Sequence, residues 1–111
     1  MRYYLIDELD KTKIERIKAA LDAKELRGSI DDVYYIPVPE SCLTDEQKSH
    51  MNECGPYIMA LETGEDWLKM ELLVRARNKL RCSCITYAEP AVREQLMAIV
   101  DDFIKELDIP V

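Results

Sequence analysis

An α+β two-layer sandwich of order βαβαβββα follows from three features of this 111-residue chain. An amphipathic helix lies between two short β-rich runs near the N-terminus. Apolar and charged residues alternate from Leu68 to Arg77, and a wide apolar helical stripe runs from Val92 to Leu107. These elements bury their apolar sides together as a mixed sheet of about five strands with both long helices on one face. The competing arrangement makes residues 66–79 a helix and gives a four-stranded parallel α/β fold of the flavodoxin-like type. No repeat, low-complexity tract or Gly/Ser linker divides the sequence, so residues 1–111 read as a single domain.

The first strand, Arg2 to Ile6, is rich in β-formers. Thr12 and Glu15 have capping-box spacing, Ile14, Ile17 and Leu21 follow at helical intervals, and Gly28 suits the end of that helix. Val33-Tyr34-Tyr35-Ile36 is a second strand, halted by Pro37 and Pro39. Strand, helix and strand in this order predict a right-handed βαβ unit with parallel strands. Thr44 and Gln47 form a second capping box, opening a short helix that ends near Gly55-Pro56. Residues 57–63 then form a third strand.

Between Leu68 and Arg77 the even positions are all apolar, while four of the five odd positions are charged. On a helix those charges would scatter around the circumference, so the segment is read as strand despite its helix-forming residues. A two-residue turn at Gly64-Glu65 pairs Leu61 with Leu68 and Met59 with Met70. A three-residue loop at 78–80 pairs Val74 with Cys84 and Ala76 with Cys82. Residues 57–87 are thus expected as a three-stranded meander, followed by a helix with Pro90 at its first position.

The formal net charge of −7 argues against a surface built wholly for nucleic acid. Five basic residues (Lys69, Arg75, Arg77, Lys79, Arg81) nevertheless face one acid, Glu71, between Trp67 and Tyr87. The N-terminus reaches Asp7-Glu8 too soon for a signal peptide, and no run is long enough for a membrane span. The expectation is a cytoplasmic protein with reduced cysteines and no membrane partner.

Three candidate sites follow. His50 and Cys54 are one helical turn apart, and Cys82 and Cys84 are expected on one face of a strand, so His50 (or Cys42), Cys54, Cys82 and Cys84 form a candidate zinc site. Buried cysteine is also an ordinary small apolar residue, and the leading expectation is a core without cofactor. Cys42, just before an N-cap, is the best placed reactive thiol. No paired carboxylates or Gly-rich phosphate loop have catalytic spacing, so no catalytic residue is assigned.

The second candidate is the outer sheet face, where Lys69, Leu73, Arg75, Arg77 and Arg81 alternate cationic and apolar groups suited to an anion, nucleic acid or acidic protein. The third joins the pieces. With helices on one face only, the other is open for self-association or a protein partner. The leading functional expectation is therefore a small non-catalytic interaction domain that self-associates as a homodimer through the open sheet face. A metal- or thiol-dependent accessory protein comes second, and an anion or nucleic-acid binder third.

Overall fold

Alternation from Leu68 onward does produce strand. In the computed structural model, which describes residues 1–110, the chain forms β1 (Tyr3–Ile6), α1 (Lys11–Ala23), β2 (Val33–Pro37), a short 3-10 helix (Glu40–Cys42), α2 (Asp45–Ser49) and α3 (Met51–Cys54). There follow β3 (Tyr57–Thr63), β4 (Leu68–Glu71), β5 (Leu73–Ala76), β6 (Thr86–Tyr87) and α4 (Pro90–Glu106). The fold is α+β, with six strands in an open sheet. β3 pairs with β2 along one edge and with β4 and β5 along the other; β1 and β6 lie beyond β4 and β5.

Every one of these pairings is antiparallel, so neither the expected mixed sheet nor the parallel flavodoxin-like alternative forms. The βαβ unit is absent because β1 pairs with β4 while β2 pairs with β3. After α1 the chain turns back through residues 26–28, which bond β2 directly. The Gly28 N–H donates to the Val33 carbonyl (2.8 Å) and the Tyr35 N–H to the Leu26 carbonyl (2.7 Å). This segment seats β2 on the far side of β3 from β1.

The expected long strand is divided at Leu72. Leu61 faces Met70 but Tyr57 faces Ala76, so the β4–β5 side carries two more residues than β3 across the break, a bulge. An insertion of two preserves the side-chain phase, and Leu68, Met70, Leu72, Val74 and Ala76 are all buried. Leu72 gives its N–H to Arg2 (2.9 Å) and accepts that of Ala88 (2.9 Å), joining the ends of β1 and β6 along the same edge. The β3–β4 turn spans residues 64–67 rather than two residues, closed by the Gly64 N–H on the Trp67 carbonyl (2.9 Å). The Trp67 indole lies where a side chain on Gly64 would project, which is why glycine is needed there.

Helix ends differ in detail. α1 is capped by Asp10, whose carboxylate accepts the Lys13 N–H (2.8 Å), and not by Thr12, which lies inside the first turn. Glu25, at φ 59, makes the left-handed step after α1 that Gly28 was expected to make. The Thr44–Gln47 capping box and Pro90 at the start of α4 are both present. Ile14, Ile17 and Leu21 of α1 and Leu96, Val100 and Ile104 of α4 join the inward residues of the sheet in one buried cluster. Each fully buried aliphatic side chain there contributes about 1.5–3 kcal/mol. On the opposite sheet face Val33, Tyr35, Lys69 and Leu73 are half-buried, and Tyr3, Leu5 and Arg75 are exposed. Among the described residues no helix is long and apolar enough to cross a membrane.

Candidate metal centre

The expected single helix after Thr44 is two short helices that meet at His50, which closes α2 and caps α3. The Cys54 N–H donates to the His50 carbonyl (2.8 Å), so the two side chains stand one turn apart. Cys82 and Cys84 are not on a strand. β5 ends at Ala76 and β6 begins at Thr86, with Val74 opposite Thr86 rather than Cys84. Both cysteines lie in a turn closed by the Ile85 N–H on the Cys82 carbonyl (3.1 Å). A turn bends the chain so that two thiols at i and i+2 converge on one point, as a strand does not.

The result is one cluster: a ring nitrogen of His50 and the sulfurs of Cys54, Cys82 and Cys84 all lie within 4.8 Å of one another. His50 Nδ1 is 3.2 Å from Cys82 Sγ. A tetrahedral zinc site, with Zn–S about 2.3 Å and Zn–N about 2.0–2.1 Å, has ligand atoms about 3.5–3.8 Å apart along its edges. The donors are therefore close to coordination distance already. Cys42 is elsewhere: buried in the 3-10 helix, it points its thiol at Gln95 Oε1 (3.6 Å).

The main chain around the cluster is tied down. The Asn78 N–H donates to the Cys54 carbonyl (3.1 Å) and its side-chain amide to the Gly55 carbonyl. Ser83 bonds Glu46 from the turn. Gln47, 1% exposed, accepts the Thr44 N–H at Oε1 (2.8 Å) and donates from Nε2 to the Cys84 carbonyl (3.0 Å). The Tyr57 hydroxyl donates to the Gln47 carbonyl (2.7 Å) and lies 3.5 Å from the Cys84 sulfur. It has one proton to give, and the shorter contact takes it. Capping box, buried amide and tyrosine thus form one polar bracket holding the α2 side of the cluster to the cysteine turn.

The thiols differ electrostatically. Burial, reinforced by the neighbouring sulfurs, pushes the Cys54 thiol up to about 12. Cys82 is drawn down to about 6, chiefly by the Cys84 N–H, then by the Cys84 thiol and His50. Cys82 is half-buried and Cys54 is sealed in, so the cluster has one accessible thiolate at its rim. Burial also raises Tyr57, keeping its hydroxyl protonated as the donor this bracket needs.

Of the cationic candidates, Lys69 and Arg75 line one shallow hollow on the outer sheet face with Tyr35, Glu62 and Glu71, and each has a partner within the chain. Lys69 lies 3.8 Å from Glu62 and over the rings of Tyr3 and Trp67 (5.2 and 5.8 Å). Arg75 makes a two-pronged contact with Glu71 (2.7 and 3.3 Å), and Arg77 stacks on Tyr35 at 5.3 Å. Leu73 is half-buried opposite Tyr87. Arg81 is off the sheet, exposed in the loop beside Cys82. Reasoning from sequence found the four clustered side chains but not Gln47 and Tyr57 as their support. The Thr44–Gln47 spacing marked Gln47 only as a cap, and the aromatic directly after Pro56, Tyr57, was the other available signal. No family model, curated protein or solved structure matches this chain.

Proposed function

We propose that this is a small metal-binding domain in which His50, Cys54, Cys82 and Cys84 hold one zinc ion as a structural staple. The observation that carries this reading is the convergence of three sulfurs and one imidazole nitrogen within 4.8 Å. Soft thiolates with one imidazole suit Zn2+, and four protein donors complete a tetrahedron with no place for substrate or water. That closed set favours a structural role over a catalytic one. The ion would tie α3 to the 77–85 loop and neutralise thiolates that burial otherwise disfavours. A reducing compartment such as the cytoplasm keeps three adjacent thiols as ligands rather than disulfides.

In this reading the helices cover one sheet face and the domain works through its surface, as a binding module without chemistry of its own. Anion binding on the outer face is less favoured, because Lys69 and Arg75 are already paired with Glu62 and Glu71. Elemental analysis of protein purified without chelator tests the reading. One zinc per chain is expected, retained by Cys42→Ala and lost on Cys54→Ala or Cys84→Ala. Absence of stoichiometric metal, or equal loss on Cys42→Ala, would sink it.

A further inference from the structure

The two edges of the sheet are treated very differently. At the β2 edge, residues 26–28 cover the strand: Arg27 bridges Tyr34, and Gly28 and Tyr35 make the main-chain bonds described above. Pro37, which has no N–H, ends that strand. β1 and the two-residue β6 share the other edge, and β1 is the longer of the two. It pairs with β4 alone, and among the described residues nothing covers its outer side. It also lacks the usual protections, having no lysine, proline or bulge between Tyr3 and Ile6. Instead it presents Tyr3 and Leu5, 51% and 45% exposed.

The strand is self-complementary in charge. Arg2 precedes it and Asp7-Glu8 follow it, so an antiparallel copy carries the arginine of each chain to the acids of the other. Residues directly opposite in an antiparallel pair share a sheet face, which restricts the centre of symmetry to a residue rather than a bond. Centring on Leu5 sets Leu5 against its own copy and Tyr4 against Ile6, and brings Arg2 of each chain to the end of the other strand, where Asp7 and Glu8 follow, Glu8 turning away at φ 57. A hollow of about 490 Å³ beside the strand, lined by Tyr3, Leu5, Trp67 and Lys69 among others, leaves room for the partner's side chains.

We infer that β1 pairs antiparallel with the β1 of a second copy, centred on Leu5, to form a two-fold symmetric dimer with one continuous sheet. The contact is isologous, so it closes at two chains and leaves no further free β1 edge. It does not depend on metal, because the cluster is supported by α2, α3 and the 77–85 loop.

Sedimentation equilibrium of the zinc-loaded chain, over a range of concentrations up to the millimolar, tests this. The expected result is reversible association that stops at two chains. Leu5→Lys and Arg2→Glu, both at exposed positions, should each raise the dimer dissociation constant at least tenfold. Combining Arg2→Glu with Glu8→Arg should restore most of the loss. Amides of residues 3–7 should exchange more slowly as concentration rises. A single chain throughout the range would overturn the proposal, and so would a dimer that ignores both Leu5→Lys and Arg2→Glu. Circular dichroism and zinc content of each variant separate lost pairing from lost folding.

Discussion

Loading the centre with zinc should raise the thermal midpoint by roughly 15 °C, a figure that follows from cross-link entropy and is reached by mass action at a thousandfold excess of free zinc over its dissociation constant. The ion would link Cys54 to Cys82, closing a loop of about 28 residues, and cross-link entropy for a loop of that length is worth about 3.6 kcal/mol. Mass action gives a similar number, about 4.1 kcal/mol when free zinc stands at a thousand times its dissociation constant. For a chain of this size each kcal/mol moves the midpoint by about 4 °C. Differential scanning calorimetry of metal-free and zinc-saturated protein, both with reduced thiols, measures the difference directly. Cys54→Ala should abolish the zinc-dependent rise while unfolding near the midpoint of the metal-free parent. A rise below about 2 °C in the parent would mean that no staple forms, since any one-site ligand at this excess must stabilise the state it binds.

Other consequences are open to measurement. Tyr57→Phe removes the donor to the Gln47 carbonyl and leaves a buried acceptor unpaired, costing about 1–3 kcal/mol in urea unfolding. Its effect on zinc affinity should be smaller than that of losing any ligand. Gln47→Ala breaks both the capping box and the bond to the Cys84 carbonyl, and should cost about 2–4 kcal/mol by the same assay. In metal-free protein Cys82 should be the first thiol alkylated, at a rate that falls as pH drops through about 6 and is suppressed by zinc. Because its folded value lies below the ordinary one, its contribution to stability is present at high pH and lost as pH falls through that same point. Tyr4 shows the opposite case. Burial and its bond to Asp101 (2.8 Å) raise it from 10.0 to about 12, so stability should decline as pH climbs between those values. A tyrosinate absorbance titration in which every tyrosine ionises near 10 would refute that contact.

How far the sequence could be read depended on whether local pattern or long-range pairing decided the outcome. β3, the Thr44–Gln47 box and the Pro90 start of α4 were legible because hydrophobic period, capping residues and a proline set them locally. Strand pairing was not. Nothing within residues 1–40 says that β1 must seek β4, and the parallel βαβ expectation failed for that reason. The bulge at Leu72 escaped notice because an insertion of two residues leaves the alternating pattern intact. The same even spacing hid the turn at Cys82–Cys84. Residues 82–85 contain no glycine, proline, asparagine or aspartate, and Cys82, Cys84 and Thr86 continue the alternation of a strand. The candidate ligands were nonetheless identifiable from their residue types and from the helical spacing of His50 and Cys54. What was missing was the bend that brings Cys82 and Cys84 to them.

The coordination shell itself tests the central claim most directly. X-ray absorption at the zinc edge of the purified chain should show three sulfurs at about 2.3 Å and one imidazole nitrogen at about 2.0–2.1 Å, with no bound water. A shell of oxygen and nitrogen atoms, or one with fewer than three sulfurs, would contradict it.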